Sequence, residues 1–147
     1  MPSTPQKRTA PARTFTVDEA NATLPLVRLV AEDIIETNHE LVELKSKYAS
    51  EREKDTLAPD ELPPVDSALY KLDETLMVKM LKLQSFVREI EEIGGSVGRY
   101  EEGEVDFPSI LDGRKVYLCW KRGEDRICYW HDLEDSTTRK PLPATVA

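Results

Sequence analysis

The sequence predicts an α+β fold, a long antiparallel helical hairpin followed by a small C-terminal antiparallel sheet of three to four strands. Three observations carry this expectation. Two apolar seams run in steps of three and four residues, one from Val27 to Tyr48 and one from Leu69 to Ile90, which is the rhythm of packed helices. The pair Gly94-Gly95 stops the second seam, as glycine just past a last helical turn does. Beyond it the apolar period changes to two, around an Asp112-Gly113 turn, which marks strands and a hairpin.

The folded part opens at Phe15. Thr16 and Glu19 make a capping box, with Phe15 and Ala20 in staple positions. Pro25 limits this first helix to about residues 17–22, and a second N-cap at Thr23 starts the main helix, where proline lacks no needed donor. The main seam is Val27, Val30, Ile34, Thr37, Leu41, Leu44 and Tyr48. The helix ends near Glu53, about 45 Å from its start at 1.5 Å per residue. His39, beside Asn38 and Thr37, falls near the seam, where polar groups usually set register or oligomer state.

Asp55–Asp66 holds three prolines among acids and reads as a loop. Asp66 or Ser67 caps the next helix. Its seam is as wide as the first, and one partner helix cannot cover both. A homodimer completing a four-helix bundle would cover the remainder.

After Gly95, strands are expected at Val97–Tyr100, Val105–Leu111, Lys115–Trp120 and Arg126–His131. Pro108 marks the second as an edge. An even turn at Arg122–Asp125 pairs Cys119 with Cys128, Leu118 with Tyr129, Tyr117 with Trp130 and Val116 with His131. His131 then shares a face with Val116, Leu118 and Trp120, and Cys119 faces the other way with Tyr117, Cys128 and Trp130. Neither face is polar, so one packs on the helices and the other takes a second cover.

The domain layout follows: a flexible basic tail over 1–14, one α+β domain over 15–135 (hairpin 16–94, sheet 97–132), and a C-terminal tail over 136–147 packed in part to about 142. The chain has 147 residues and a net charge of −8. Its N-terminal end is basic and without acids (Lys7, Arg8, Arg13), so the acidic excess belongs to the body. An acidic body repels nucleic acid, and no apolar run reaches the ~18 residues of a membrane span. With no secretion signal, the expected compartment is the cytoplasm and both cysteines are expected reduced.

Candidate site residues cluster at the sheet: Asp106, Arg114, Cys119, Trp120, Trp130, His131 and Asp132. A histidine at a strand end beside acids suits a general base or a ligand-binding role. Cys119 and Cys128 lack the further ligands that a zinc site needs on one side. No metal and no cofactor is therefore assigned. Phosphate-binding, metalloprotease and nucleophile-elbow motifs are missing from the chain.

The strings Phe107-Pro108-Ser109, Asp112-Gly113-Arg114, Leu118-Cys119-Trp120 and Trp130-His131-Asp132, with the opening Phe15–Asn21 and Leu24–Val27, resemble a bacterial family of uncharacterised proteins, domain of unknown function 2203. The resemblance runs from about Phe15 to Leu142. It implies a small intracellular bacterial protein and supplies no activity and no functional residue. A Gly-Phe pair usual in such proteins is replaced here by Glu134–Thr138.

The functional expectation is a small non-enzymatic interaction or scaffold protein that self-associates through its hairpin. A protein or an anionic small molecule is the expected partner at the sheet. The alternative is a small-molecule- or metal-dependent activity at the sheet rim around His131.

Overall fold

The computed structural model describes residues 13–143. Most of the basic tail expected over 1–14 lies outside these residues, as does the stretch beyond 143. Three helices precede a five-stranded sheet: α1 (Val17–Ala22), α2 (Leu24–Lys54), α3 (Ala68–Ile93), β1 (Ser96–Val97), β2 (Val105–Leu111), β3 (Arg114–Trp120), β4 (Tyr129–Asp132) and β5 (Asp135–Pro141). The strands form an antiparallel meander in chain order. The α+β class holds, with five strands rather than three to four.

Local chemistry sets the helix ends. The Thr16–Glu19 capping box is present in full. Thr23 is itself helical, at φ −83° and ψ −14°, and caps nothing with its side chain. Its hydroxyl donates instead to the Ala20 carbonyl at 2.7 Å, so α1 runs almost directly into α2. Ser67 accepts from the Tyr70 N–H at 3.1 Å and starts α3. Gly94 ends it at φ +116°, where a Cβ would stand 2.6 Å from the Phe15 ring. Any other residue there meets both backbone strain and a steric clash.

One sheet face packs on the hairpin. Val105, Phe107, Leu118 and Trp120 meet Phe15, Leu24, Val27, Ile34 and Ile90 in a single core. Phe15 seals the free edge of β2: its N–H donates to the Pro108 carbonyl at 2.7 Å, and the Ser109 hydroxyl donates to its carbonyl at 2.6 Å. Pro108 thus sits where β1 no longer reaches, in keeping with its lack of a donor. His39 is not at the seam. Its side chain is exposed and meets Glu43 at 3.3 Å, while Thr37 beside it is buried. Among the described residues no helix is long and apolar enough to cross a membrane.

The sheet departs from expectation in register. Cys119 pairs with Tyr129, Leu118 with Trp130, Tyr117 with His131 and Val116 with Asp132. This is a slip of one residue, and it turns every side chain of β4 over. The cause lies in the connection over residues 121–128. Ile127 is fully buried in the core, and its N–H donates to the Asn21 side chain of α1 at 2.8 Å rather than to β3. The Trp120 indole N–H donates to the Glu124 carbonyl at 2.9 Å, and Arg28 of α2 donates to the Asp125 carbonyl. The segment expected to be a tight turn plus strand is pulled across to the helices, and pairing resumes only at Tyr129. A further difference follows at the end of the chain. Residues from Asp135 to Pro141, expected mainly as tail, add β5, and Leu142 donates to the Cys128 carbonyl at 2.8 Å.

Candidate metal centre

The observed register gathers three chemically capable side chains on the outer sheet face. Asp106 on β2 and Cys119 on β3 are direct cross-strand partners. His131 on β4 lies two residues along on the same face, opposite Tyr117. Their ligand atoms all lie within 4.8 Å of one another. The three residues are 8%, 1% and 2% exposed, respectively. Burying a carboxylate, a thiol and an imidazole together is costly unless each is satisfied.

Hydrogen bonding leaves that requirement partly unmet. His131 Nδ1 stands 2.8 Å from the Asp132 carbonyl. A carbonyl only accepts, so Nδ1 donates to it and Nε2 is the nitrogen turned toward Asp106. Nε2 faces Asp106 Oδ1 at 3.2 Å, and that buried oxygen has no hydrogen-bond partner. A proton or a metal ion between them would join the two, with a thiol beside them. A hydrogen bond from the second imidazole nitrogen to a backbone carbonyl is also the usual way a metal-ligating histidine is oriented.

Cys119 is held from β5. The Arg139 Nε–H donates to its sulfur at 3.3 Å, and another guanidinium N–H donates to its carbonyl at 3.2 Å. Glu124 grips the same guanidinium through both carboxylate oxygens at 2.9 Å. The group lies 4.2 Å above the Tyr129 ring. Burial opposes the charge on Arg139, but the Glu124 and Cys119 contacts outweigh it and hold its pKa above the usual guanidinium value. Burial pushes the Cys119 thiol up to about 12, and the Asp106 charge adds to this. Arg139 pulls the other way, and so does any cation placed against the sulfur.

The remaining expected site residues lie elsewhere. Trp120 is in the core. Arg114, Trp130 and Asp132 fall on the opposite, helix-side face, where Trp130 packs against the core. There Arg114 and Lys140 both pair with Asp132, and their charges stand 5.4 and 4.8 Å from the Trp130 ring. Asp106 and His131 converge, and Arg114 does not join them. Cys119 and Cys128 are both free thiols rather than cross-strand partners. Sequence reasoning did not assign Glu124 and Arg139 to the site, because their meeting depends on a fifth strand that carries no apolar pattern.

The family model for the uncharacterized conserved protein family DUF2203 matches residues 13–142, and the chain belongs to that family. No curated protein sequence matches it, and no solved structure does.

Proposed function

We propose that this is a metal-dependent protein whose working centre is a divalent transition ion held by Asp106, Cys119 and His131. The carrying observation is the buried Asp106 oxygen, without a hydrogen-bond partner, facing His131 Nε2 at 3.2 Å beside a thiol. The sequence assigned no metal because its expected register put His131 and Cys119 on opposite faces. The observed register removes that objection.

The donor set suits the proposal. Donors around a tetrahedral ion with bonds of 2.0–2.3 Å stand about 3.3–3.7 Å apart. The Asp106–His131 pair is already at 3.2 Å, and a shift of about 1 Å at the sulfur closes the set. One carboxylate and one thiolate neutralise a dication, and a mixed O, N and S set favours zinc or ferrous iron over magnesium or calcium. Three protein ligands leave one position for water or a substrate oxygen, the arrangement of catalytic rather than structural zinc sites. The chemistry supplied there would be polarisation of a bound oxygen, with the ion lowering the pKa of its water.

Metal analysis of the purified chain, before and after chelation and reloading, tests this. One ion per chain is expected. Cobalt substitution should give a sulfur-to-metal absorption band, which Cys119→Ser abolishes and Asp106→Asn weakens. Failure to bind zinc, iron or cobalt at one per chain, with no change in melting temperature on loading, overturns the reading.

A further inference from the structure

The geometry points to a second copy of this chain as the partner of α3, docked antiparallel along an outward stripe that is complementary to itself about a twofold axis. The inner seam of α3 is used: Leu69, Leu83 and Ile90 are buried. A second stripe at the same helical spacing is not. Met77, Met80 and Leu81 are 55%, 40% and 58% exposed, side by side on one flank of the helix. Large apolar residues grouped in this way mark a docking surface rather than ordinary scatter.

Charge decides the occupant. The stripe continues one heptad outward in each direction from the Met80–Leu81 bond, to Asp73 on one side and Arg88 on the other. A second α3 laid antiparallel about that bond sets Asp73 of each copy against Arg88 of its mate. Met77 then meets Gln84, and Met80 meets Leu81. One turn further out, Tyr70 and Glu91 are equidistant in the same way, a phenol opposite a carboxylate. The order along the stripe is Asp73, Met77, Met80, Leu81, Gln84, Arg88, and reversal sets acid against base at both ends and apolar against apolar at the centre. An isologous contact requires that property, and an unrelated partner would have no reason to select it.

The relief of the surface agrees with the charge. On this flank Met80, Gln84, Arg88 and Glu91 border a groove of about 400 Å³ with Leu41, Lys45, Leu83, Val87 and Tyr100. The mate's Met77 and Leu81 are the side chains that fill it, and methionine adapts readily to such a gap. Two hairpins joined through α3 make a four-helix layer.

Sedimentation velocity on the full chain, over a range of concentrations and at two salt levels, tests the contact. A dimer is expected for the native sequence, weaker at high salt. Asp73→Arg or Arg88→Asp alone turns two attractive pairs per dimer repulsive and raises the dissociation constant about tenfold. The two together, Asp73→Arg with Arg88→Asp, restore it to within a few-fold of the native value. Leu81→Glu abolishes it, with unchanged helical circular dichroism. A chain that stays monomeric at its solubility limit overturns the inference. So does a dimer indifferent to these substitutions, or a double charge swap no better than the singles.

Discussion

The outer face of the sheet and the outer flank of α3 each present polar residues at a regular spacing, and they use them in opposite ways. On the sheet, Asp106, Cys119 and His131 are withdrawn from water, so each polar group either finds a partner or destabilises the fold. On the helix, Asp73, Gln84 and Arg88 are exposed, and each alone contributes little. Their significance lies only in their order along the stripe. Residue type did not separate these two regions. Burial did, and burial on the sheet was decided by a one-residue choice of register.

The comparison breaks most sharply if the buried cluster tolerates piecemeal removal. In the chelated protein, His131→Ala is expected to lower unfolding stability by about 3 kcal/mol, because it opens a cavity in a buried cluster. Asp106→Asn combined with His131→Leu should be less damaging than the sum of the two single changes, since residues in contact do not add. Urea unfolding of the four proteins in that cycle measures it. Additive effects of under about 1 kcal/mol would mean that the cluster is no more demanding than surface groups.

The helical part of the fold was legible because its signals are local. Capping residues, the spacing of the seams and the Gly94 stop all act within a turn or two of chain. The sheet was legible as strands and turns but not as a register. The contact that sets the register joins Asn21 to Ile127, 106 positions apart, and nothing near Ile127 announces it. β5 was illegible for another reason. Asp135-Ser136-Thr137-Thr138-Arg139 has no apolar alternation, since an exposed edge strand gives it nothing to bury. Asp106, Cys119 and His131 were all named as candidates from sequence. Their convergence, and the Arg139–Glu124 clamp behind them, needed the register and the fifth strand.

Two ion pairs sharpen the comparison at smaller amplitude. Arg139 and Glu124 are 18% and 23% exposed and bind through two hydrogen bonds, whereas Lys79 and Glu40 make one contact at 2.7 Å on the hairpin. Arg139→Met removes the donors to Cys119 and leaves Glu124 half-buried without its partner. About 2 kcal/mol of stability should go with it. The cobalt–sulfur band of the reloaded protein should also shift, because the sulfur loses a hydrogen bond. A shift in the band with unchanged stability would assign Arg139 to the sulfur alone. Lost stability with an unmoved band would make it a fold residue only.

The smallest effect belongs to Glu40. Its hydrogen bond from Lys79 holds its carboxyl below the usual value of 4.5. A carboxyl whose pKa falls on folding contributes stability that is present above its unfolded pKa and lost as pH falls through the folded one. Glu40→Gln should therefore leave stability near neutral pH almost unchanged, since an exposed pair contributes little. It should make the acid limb of the stability curve shallower below about pH 4.5. Thermal unfolding from pH 7 down to pH 3 reads this directly. If the variant instead loses as much at neutral pH as Arg139→Met does, the contrast between a buried clamp and a solvated pair fails, and the hairpin depends on its charges as much as the sheet does.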